Sequence, residues 1–493
     1  MQAIRNTVIT FILALILGSG SGYSWAQEND NPYLSALIDM QVPNPLLTAP
    51  QPEFENLVLS YAIPENAEEY QYLRARSWSY DNALTVIALS AAGECEVAQT
   101  ILASLLAQLD DDSFIAFDLN LSNTETGPYF TGTQAWVLFS ITEYNANCDD
   151  SQFLAQAELM ADAMLTLQDE ETGSLQGSRD VSWYSTEHNI SAYFALNGLS
   201  GITQNPSYQN AAEQIQTSLM ENHYDDIRGC FMQGIDDTVH ALDTATLGAL
   251  FFITISDPDR ALSCLDYAET FRTASACSAG NTTQVVRGFK PYKTPDTNFV
   301  WLEGTLQLAV AYAANGNVNR SYEIVREIQG LHSGDNLLLY ACHSTQSNEF
   351  AYYPSAASTA WMAIFTNLYG IPSPAVPQQN STMTVKEYGF TVAGVIHDAA
   401  LCDAANSINV FALTDQFYIQ PNLDSSDIPI VSNCSWQTII QPNPFDRLSI
   451  HVLSPAADGV EATYEAGECT DILADDTEGV LHSECYNPLV EEQ

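Results

Sequence analysis

Positive charge is what this chain has least of. Fourteen Lys and Arg stand against 61 Asp and Glu, a formal net charge of −47 over 493 residues. Such a surface repels phosphate backbones and anionic headgroups, which excludes nucleic acid and charged lipid as partners. Metal-site patterns are missing too: there is no CxxC pair, no HExxH and no EF-hand loop, and the eight His are scattered. No metal and no cofactor is therefore expected. After the run from Val8 to Gly18, no segment is apolar enough to cross a bilayer, which takes roughly 20 residues. That first run follows the lone charge of Arg5 and precedes Ser24-Trp25-Ala26, small residues of the kind a signal peptidase reads. It predicts a signal peptide over 1–26, cleaved near Ala26, and a periplasmic or secreted protein, with a retained anchor as the alternative.

What is present fits that compartment. Ten Cys all follow the leader, an even number suited to disulfides in an oxidising milieu. Cys264 with Cys277 and Cys469 with Cys485 are the nearest local pairs. Hydrophobic residues make up 46% of the chain, too many for an acidic disordered protein.

Six segments resemble one another: WSYDNALTVIAL from Trp78, FTGTQAWVLFSI from Phe130, YSTEHNISAYFAL from Tyr184, HALDTATLGALFF from His240, VWLEGTLQLAVAY from Val300 and YPSAASTAWMAIF from Tyr353. Aligned on Asp81, Gly132, Glu187, Asp243, Glu303 and Ala356, they recur every 51 to 60 residues. Each is apolar nearly all round, the mark of a buried helix. Between them lie amphipathic stretches such as Glu94 to Leu109, where Val97, Ile101, Leu105 and Leu109 share one face. The pattern predicts an all-α ring, an (α/α)6 toroid of six helical hairpins, with an open solenoid as the alternative. The sixth outer helix is expected from Phe54 to Leu73. After Pro377, β-branched and aromatic runs broken by Pro, Asn and Gly predict a small β-rich domain. The expected division is a 27–52 extension, a 53–372 toroid, a 373–380 linker and a 381–493 β-rich domain.

With YDNAL, WYSTEHNISAYFAL and VWLEG heading inner helices, residues 54–369 resemble the six-hairpin glycosidase-like superfamily of glycoside hydrolases, polysaccharide lyases and sugar epimerases. The resemblance implies an active site at one mouth of the ring, where loops lead into the inner helices. LQDEETGSLQG, from Leu167 to Gly177, resembles a turn of the terpene cyclase and prenyltransferase toroids. Their DDxxD motif has no counterpart here, because Asp110-Asp111-Asp112 is followed by Ser113 and Phe114.

Asp81, Glu187, Asp243 and Glu303 all fall at helix starts. Acids there are commonly caps that bond free amides. Grouped at one mouth, they also suit glycoside cleavage, in which one carboxylic acid protonates the leaving oxygen and a second carboxylate activates water or attacks. Glu187 is the first candidate for the acid and Asp81 its partner. His188 is a candidate base, or else a satisfied core histidine. Asp243, Glu303 and Asn189 are candidates for binding sugar hydroxyls. Trp78, Tyr80, Tyr129, Trp183 and Trp301 offer flat rings to stack on sugars. Arg287, Lys290 and Lys293, in RGFKPYK, form a basic patch that would steer an anionic glycan, or else pair with nearby acids.

These features predict an exported carbohydrate-active enzyme, foremost a glycoside hydrolase acting on a poly- or oligosaccharide. The alternatives are a lyase, with His188 or a Tyr abstracting a proton beside a uronate, and a non-enzymatic glycan-binding or structural protein.

Overall fold

The structure is a computed structural model. It describes residues 31–370, apart from 124, 280–281, 295–296, 333–334 and 346–349, and the backbone of eight strands between 390 and 485. The leader over 1–26 and the linker over 373–380 lie outside the described residues. The chain divides into two compact units near residue 375.

The first unit carries 13 helices among its described residues: α1 Pro32–Asp39, α2 Tyr70–Leu73, α3 Ser79–Ala92, α4 Cys95–Leu106, α5 Thr131–Cys148, α6 Leu154–Leu165, α7 Thr186–Thr203, α8 Pro206–Ser218, α9 Leu242–Thr254, α10 Pro258–Glu269, α11 Leu302–Ala314, α12 Val318–Ile328 and α13 Ala356–Tyr369. The six inner helices α3, α5, α7, α9, α11 and α13 pack in that order, and α13 returns to α3. The solenoid alternative is thereby excluded.

Composition explains the two layers. In α11 every residue from Leu302 to Ala313 is buried, as a helix flanked on all sides requires. In α12 only Ser321, Ile324, Val325 and Ile328 are buried, a single stripe at three- and four-residue spacing. Leu308 and Val325 are both fully enclosed, and cutting Leu308 to Ala would cost about 2–5 kcal/mol.

The sixth outer helix is α1, not the stretch from Phe54 to Leu73. That stretch begins on the last residue of a 3-10 turn, Pro52–Phe54, and its one α-helix is the four-residue α2. Pro64 and a lack of regular apolar spacing account for the failure. Instead, α1 packs on α13, and Asn31 Nδ2 donates to Thr366 Oγ1 and Asn367 Oδ1, both at 2.8 Å.

A collar of six equivalent hydrogen bonds closes the mouth. The amide of the first residue of each inner helix donates to a carbonyl in the segment leading to the next one. Ser79 bonds Phe117 at 3.0 Å, Thr131 bonds Gly177 at 2.9 Å, Thr186 bonds Gln233 at 2.9 Å, Leu242 bonds Pro291 at 2.8 Å, Leu302 bonds Tyr340 at 3.0 Å, and Ala356 bonds Ser60 at 3.0 Å. The last of these leads back to α3. A second tier lies three residues further along, where Asn82, Gln134, Asn189, Thr305 and Thr359 accept from the amides of Val58, Ile115, Leu175, Phe289 and Leu338. Helix starts that would otherwise need side-chain caps are thus served by the neighbouring repeat.

Three disulfides staple this unit: Cys95–Cys148, Cys230–Cys264 and Cys277–Cys342. The expected Cys264–Cys277 pair is therefore wrong, since each Cys faces a different element across the packing. Among the described residues no Cys is free, and no helix is long and apolar enough to cross a membrane.

The second unit is β-rich, as its composition predicts. Its strands form a three-stranded and a five-stranded sheet. Cys469 and Cys485 sit opposite each other in the antiparallel register of the larger one. Their side chains, like Cys402 and Cys434, lie outside the described residues.

Candidate active site

The collar fixes the register of the six repeats, and it moves Asp81 by one place. Counting from the first helical residue, the second position holds Tyr80, Gly132, Glu187, Asp243, Glu303 and Ala357. Tyr80, not Asp81, is the counterpart of Glu187, Asp243 and Glu303. Asp81 shares its position with His188.

These positions converge on a cavity of about 440 Å³, within the usual range of small-molecule pockets. Five of the six inner helix starts line it, through Tyr80, Asp81, Gly132, Glu187, His188, Asp243 and Glu303. Its walls are aromatic: Trp78, Trp136, Trp183, Trp301, Tyr292, Tyr340, Phe117, Phe130 and Phe350.

None of Asp81, Glu187 and Glu303 bonds a helix amide. The caps ahead of α3 and α11, Trp78 and Trp301, give no side-chain bond, and Ser185 caps α7. The carboxyls are held by other groups. Glu187 Oε1 accepts from Trp136 Nε1 and from Ser191 Oγ, both at 3.1 Å. Burial raises its pKa, while these two donors pull it back. Glu303 Oε1 accepts from the Tyr80 hydroxyl at 2.6 Å and from Gln307 Nε2 at 3.4 Å. Burial pushes Glu303 up to about 7; Tyr80 and Tyr340 oppose the shift, and the Asp243 and Glu187 charges add to it.

Asp81 is only 1% exposed, and neither of its oxygens makes a hydrogen bond of ordinary geometry. Burial holds its carboxyl well above the usual range; the Ser60 hydroxyl pulls the other way, and the Glu303 charge adds to the rise. His188 Nε2 lies 3.5 Å from Glu187 Oε2, and its Nδ1 is buried without a partner. Burial lowers His188 to about 4, so it is neutral at pH 7. Gly132 makes room for this pair, because a Cβ there would sit 2.3 Å from His188 Cδ2 and 3.1 Å from Glu187 Oε2. Asp243 Oδ1 accepts from the Thr244 amide at 2.7 Å, so of the four acids it alone behaves as a local cap.

Trp78, Trp183 and Trp301 line the cavity. Trp301 Nε1 is buried without a partner. Trp183 stands 38% exposed, its ring so close to Gly234 that a Cβ there would approach within 2.5 Å.

Other expected site residues lie elsewhere. Asn189 belongs to the second tier of the collar: its amide accepts from Leu175 N and donates to the Leu175 and Ser185 carbonyls at 3.0 and 2.8 Å. Both of its N–H groups are spent, and the residue is fully buried off the cavity lining. Tyr129 is not among the lining residues, and the Arg179 guanidinium packs 4.4 Å from its ring centroid. The basic patch also lies off the cavity lining. Arg287 pairs with Glu327 at 3.6 Å, Lys293 Nζ sits 4.3 Å from the Tyr267 ring, and the Lys290 amide bonds the Phe271 carbonyl.

Sequence reasoning missed Trp136, Gln307 and Leu247, yet each lies one helical turn after Gly132, Glu303 and Asp243 and so on the same face. Tyr340 and Phe350 come from a loop with no repeating signal. Among the described residues no cluster of His, Cys, Asp and Glu could hold a metal ion.

The six inner helices and their outer partners close an (α/α)6 toroid. No protein-family model matches the chain, and no curated relative does. Among solved structures the chain is similar to a glycosidase variant in complex with glucose, at 13% identity and a TM-score of 0.49, covering 64% of this chain and 92% of that one. It is similar to a D-mannose isomerase at 11% identity and a TM-score of 0.49, covering 73% and 98%. A glycoside hydrolase family 76 mannosidase from Bacteroides thetaiotaomicron gives 11% and 0.48, covering 68% and 96%.

Proposed function

We propose that the chain is an exported glycoside hydrolase that cleaves a neutral poly- or oligosaccharide in this cavity. The observation that carries the reading is the pairing of Glu187 and Glu303 across one aromatic-walled space, in unlike environments. Glu303, with its pKa pushed up to about 7, is the general acid that protonates the departing oxygen. Glu187, held by Trp136 and Ser191, is the carboxylate that activates water or attacks the anomeric carbon. These roles differ from those the sequence suggests, where Glu187 leads as the acid. Asp81, His188 and Trp301 present buried unpaired polar atoms. Sugar hydroxyls would satisfy them, and leaving such groups unmet costs about 1–3 kcal/mol each.

A neutral substrate is favoured over an anionic one. Among the described lining residues there is no Arg or Lys, and His188 is held neutral, so nothing there would offset a uronate charge. The same point weighs against a lyase. The test is digestion of a panel of neutral and uronate-bearing glycans, followed for new reducing ends and for unsaturated products. Reducing ends from neutral glycans alone are expected. Unsaturated products from a uronate polymer would replace this reading with the lyase, and binding without turnover would replace it with a non-enzymatic role.

A further inference from the structure

Four inner helices bear a polar residue in the second position that faces the mouth, and the sixth bears Ala357. Yet the sixth helix reaches the site through Trp361, one turn further on. Trp361 is 4% exposed and does not line the cavity. Its Nε1 donates to the Tyr80 hydroxyl at 3.0 Å, and that hydroxyl lies 2.6 Å from Glu303 Oε1. The ring repeats this contact elsewhere. Trp136, one turn after Gly132, donates from the second repeat to Glu187 in the third. Trp361 stands in the same relation to the next repeat around the ring, where Tyr80 takes the carboxylate's place.

We propose that Trp361 and Tyr80 form a positioning relay that commits Glu303 Oε1 to accepting and leaves the other oxygen to carry the acidic proton. An indole N–H only donates, so the Tyr80 oxygen must be its acceptor. A phenol has one proton, and with its oxygen turned to Trp361 that proton points at Glu303 Oε1. Gln307 adds a second donor to the same oxygen, and its amide is oriented by Thr246 Oγ1, which bonds Gln307 Oε1 at 3.1 Å. An oxygen already receiving two donors is a poor place for a proton. Burial and the Glu303 charge hold the Tyr80 phenol well above its ordinary range, so the relay stays protonated across the working pH.

The relay rests on the hydrolase reading for its purpose, but its test does not. Carbon-13 NMR of labelled Glu side chains, assigned with Glu303→Gln, follows the Glu303 titration in the full chain. Tyr80→Phe removes a hydrogen bond to the charged form and should raise the Glu303 pKa by about one unit. Trp361→Phe should raise it in the same direction by less, because Tyr80 keeps its proton but loses its orientation. The double variant should titrate with Tyr80→Phe alone, since Trp361 acts only through Tyr80. The alkaline limb of the activity profile, where a general acid loses its proton, should move with the titration.

An unmoved Glu303 in Tyr80→Phe overturns the relay, as do additive shifts in the double variant. Melting and circular dichroism identify a variant that fails to fold. Should Trp361→Phe do so, Tyr80→Phe, which keeps the ring and the indole, still decides the matter. If Glu303→Gln retains turnover, the hydrolase reading fails while the titration still tests the relay.

Discussion

Two histidines, His223 buried and His188 half-buried against the cavity, flank the start of α7. Burial lowers both His188 and His223 to about 4. His223 has both ring nitrogens satisfied, Nε2 by Ser174 Oγ and Nδ1 by Thr186 Oγ1, each at 2.9 Å. His188 faces the cavity with Nδ1 unpaired and Nε2 beside Glu187. Thr186 and His188, two positions apart, thus belong to a closed network and to an open one. A perturbed pKa marks burial in both cases, and only the hydrogen-bond count separates the structural group from the candidate for binding.

Exchanging the two histidines' fates is the sharpest way to break that comparison. His188→Gln should raise KM about tenfold through a lost contact to substrate, with melting little changed. His223→Leu removes one partner each from the Ser174 and Thr186 hydroxyls, which keep Ser218 Oγ and the Met232 carbonyl. It should cost about 1–3 kcal/mol of stability for the two lost bonds, with turnover per folded molecule intact. Equal effects of both changes on melting would merge the two networks. Gly132→Ala tests the same point sterically. Its methyl must displace the His188 ring, so turnover should fall several-fold while far-ultraviolet circular dichroism stays the same.

Acidity supplies a smaller effect with a definite sign. Both histidines have folded pKa values below the ordinary 6.5, so the stability tied to their neutral forms is full above about 6.5. It is lost as pH falls toward about 4. Glu303 runs the other way: its folded pKa of about 7 exceeds the ordinary 4.5. Its contribution is full below about 4.5 and is lost as pH rises to about 7. Glu303→Gln should therefore gain melting temperature over wild type as pH rises through that window, and a constant difference would show that Glu303 does not titrate there. The smallest effect concerns the surface. Arg287→Gln removes an exposed pair with Glu327 and should change stability by under about 1 kcal/mol, without altering binding of a neutral glycan. Loss of that binding would return the basic patch to the site.

The ring was legible because six apolar helices recur at near-constant spacing, and burial on all sides leaves that mark on composition. The site was legible to the level of the helix starts and no finer. Asp81 looked equivalent to Glu187 because both are acids, whereas the collar bonds, which involve main chain, place Tyr80 there. Asn189 looked like part of a distinctive string, yet its role is shared with Asn82, Gln134, Thr305 and Thr359, whose differing side chains hide a common backbone partner. The closure by α1 was missed because an eight-residue helix carries little periodicity. The disulfides were misjudged because sequence proximity does not report which elements pack together.

Turnover and melting of Glu303→Gln, measured on one preparation against a neutral glycan that the wild type cleaves, test the central claim most directly. A loss of about a hundred- to ten-thousandfold in rate is expected, with melting at pH 7 equal to or above the wild type. Full turnover with lowered melting would make Glu303 a structural carboxyl and contradict the account.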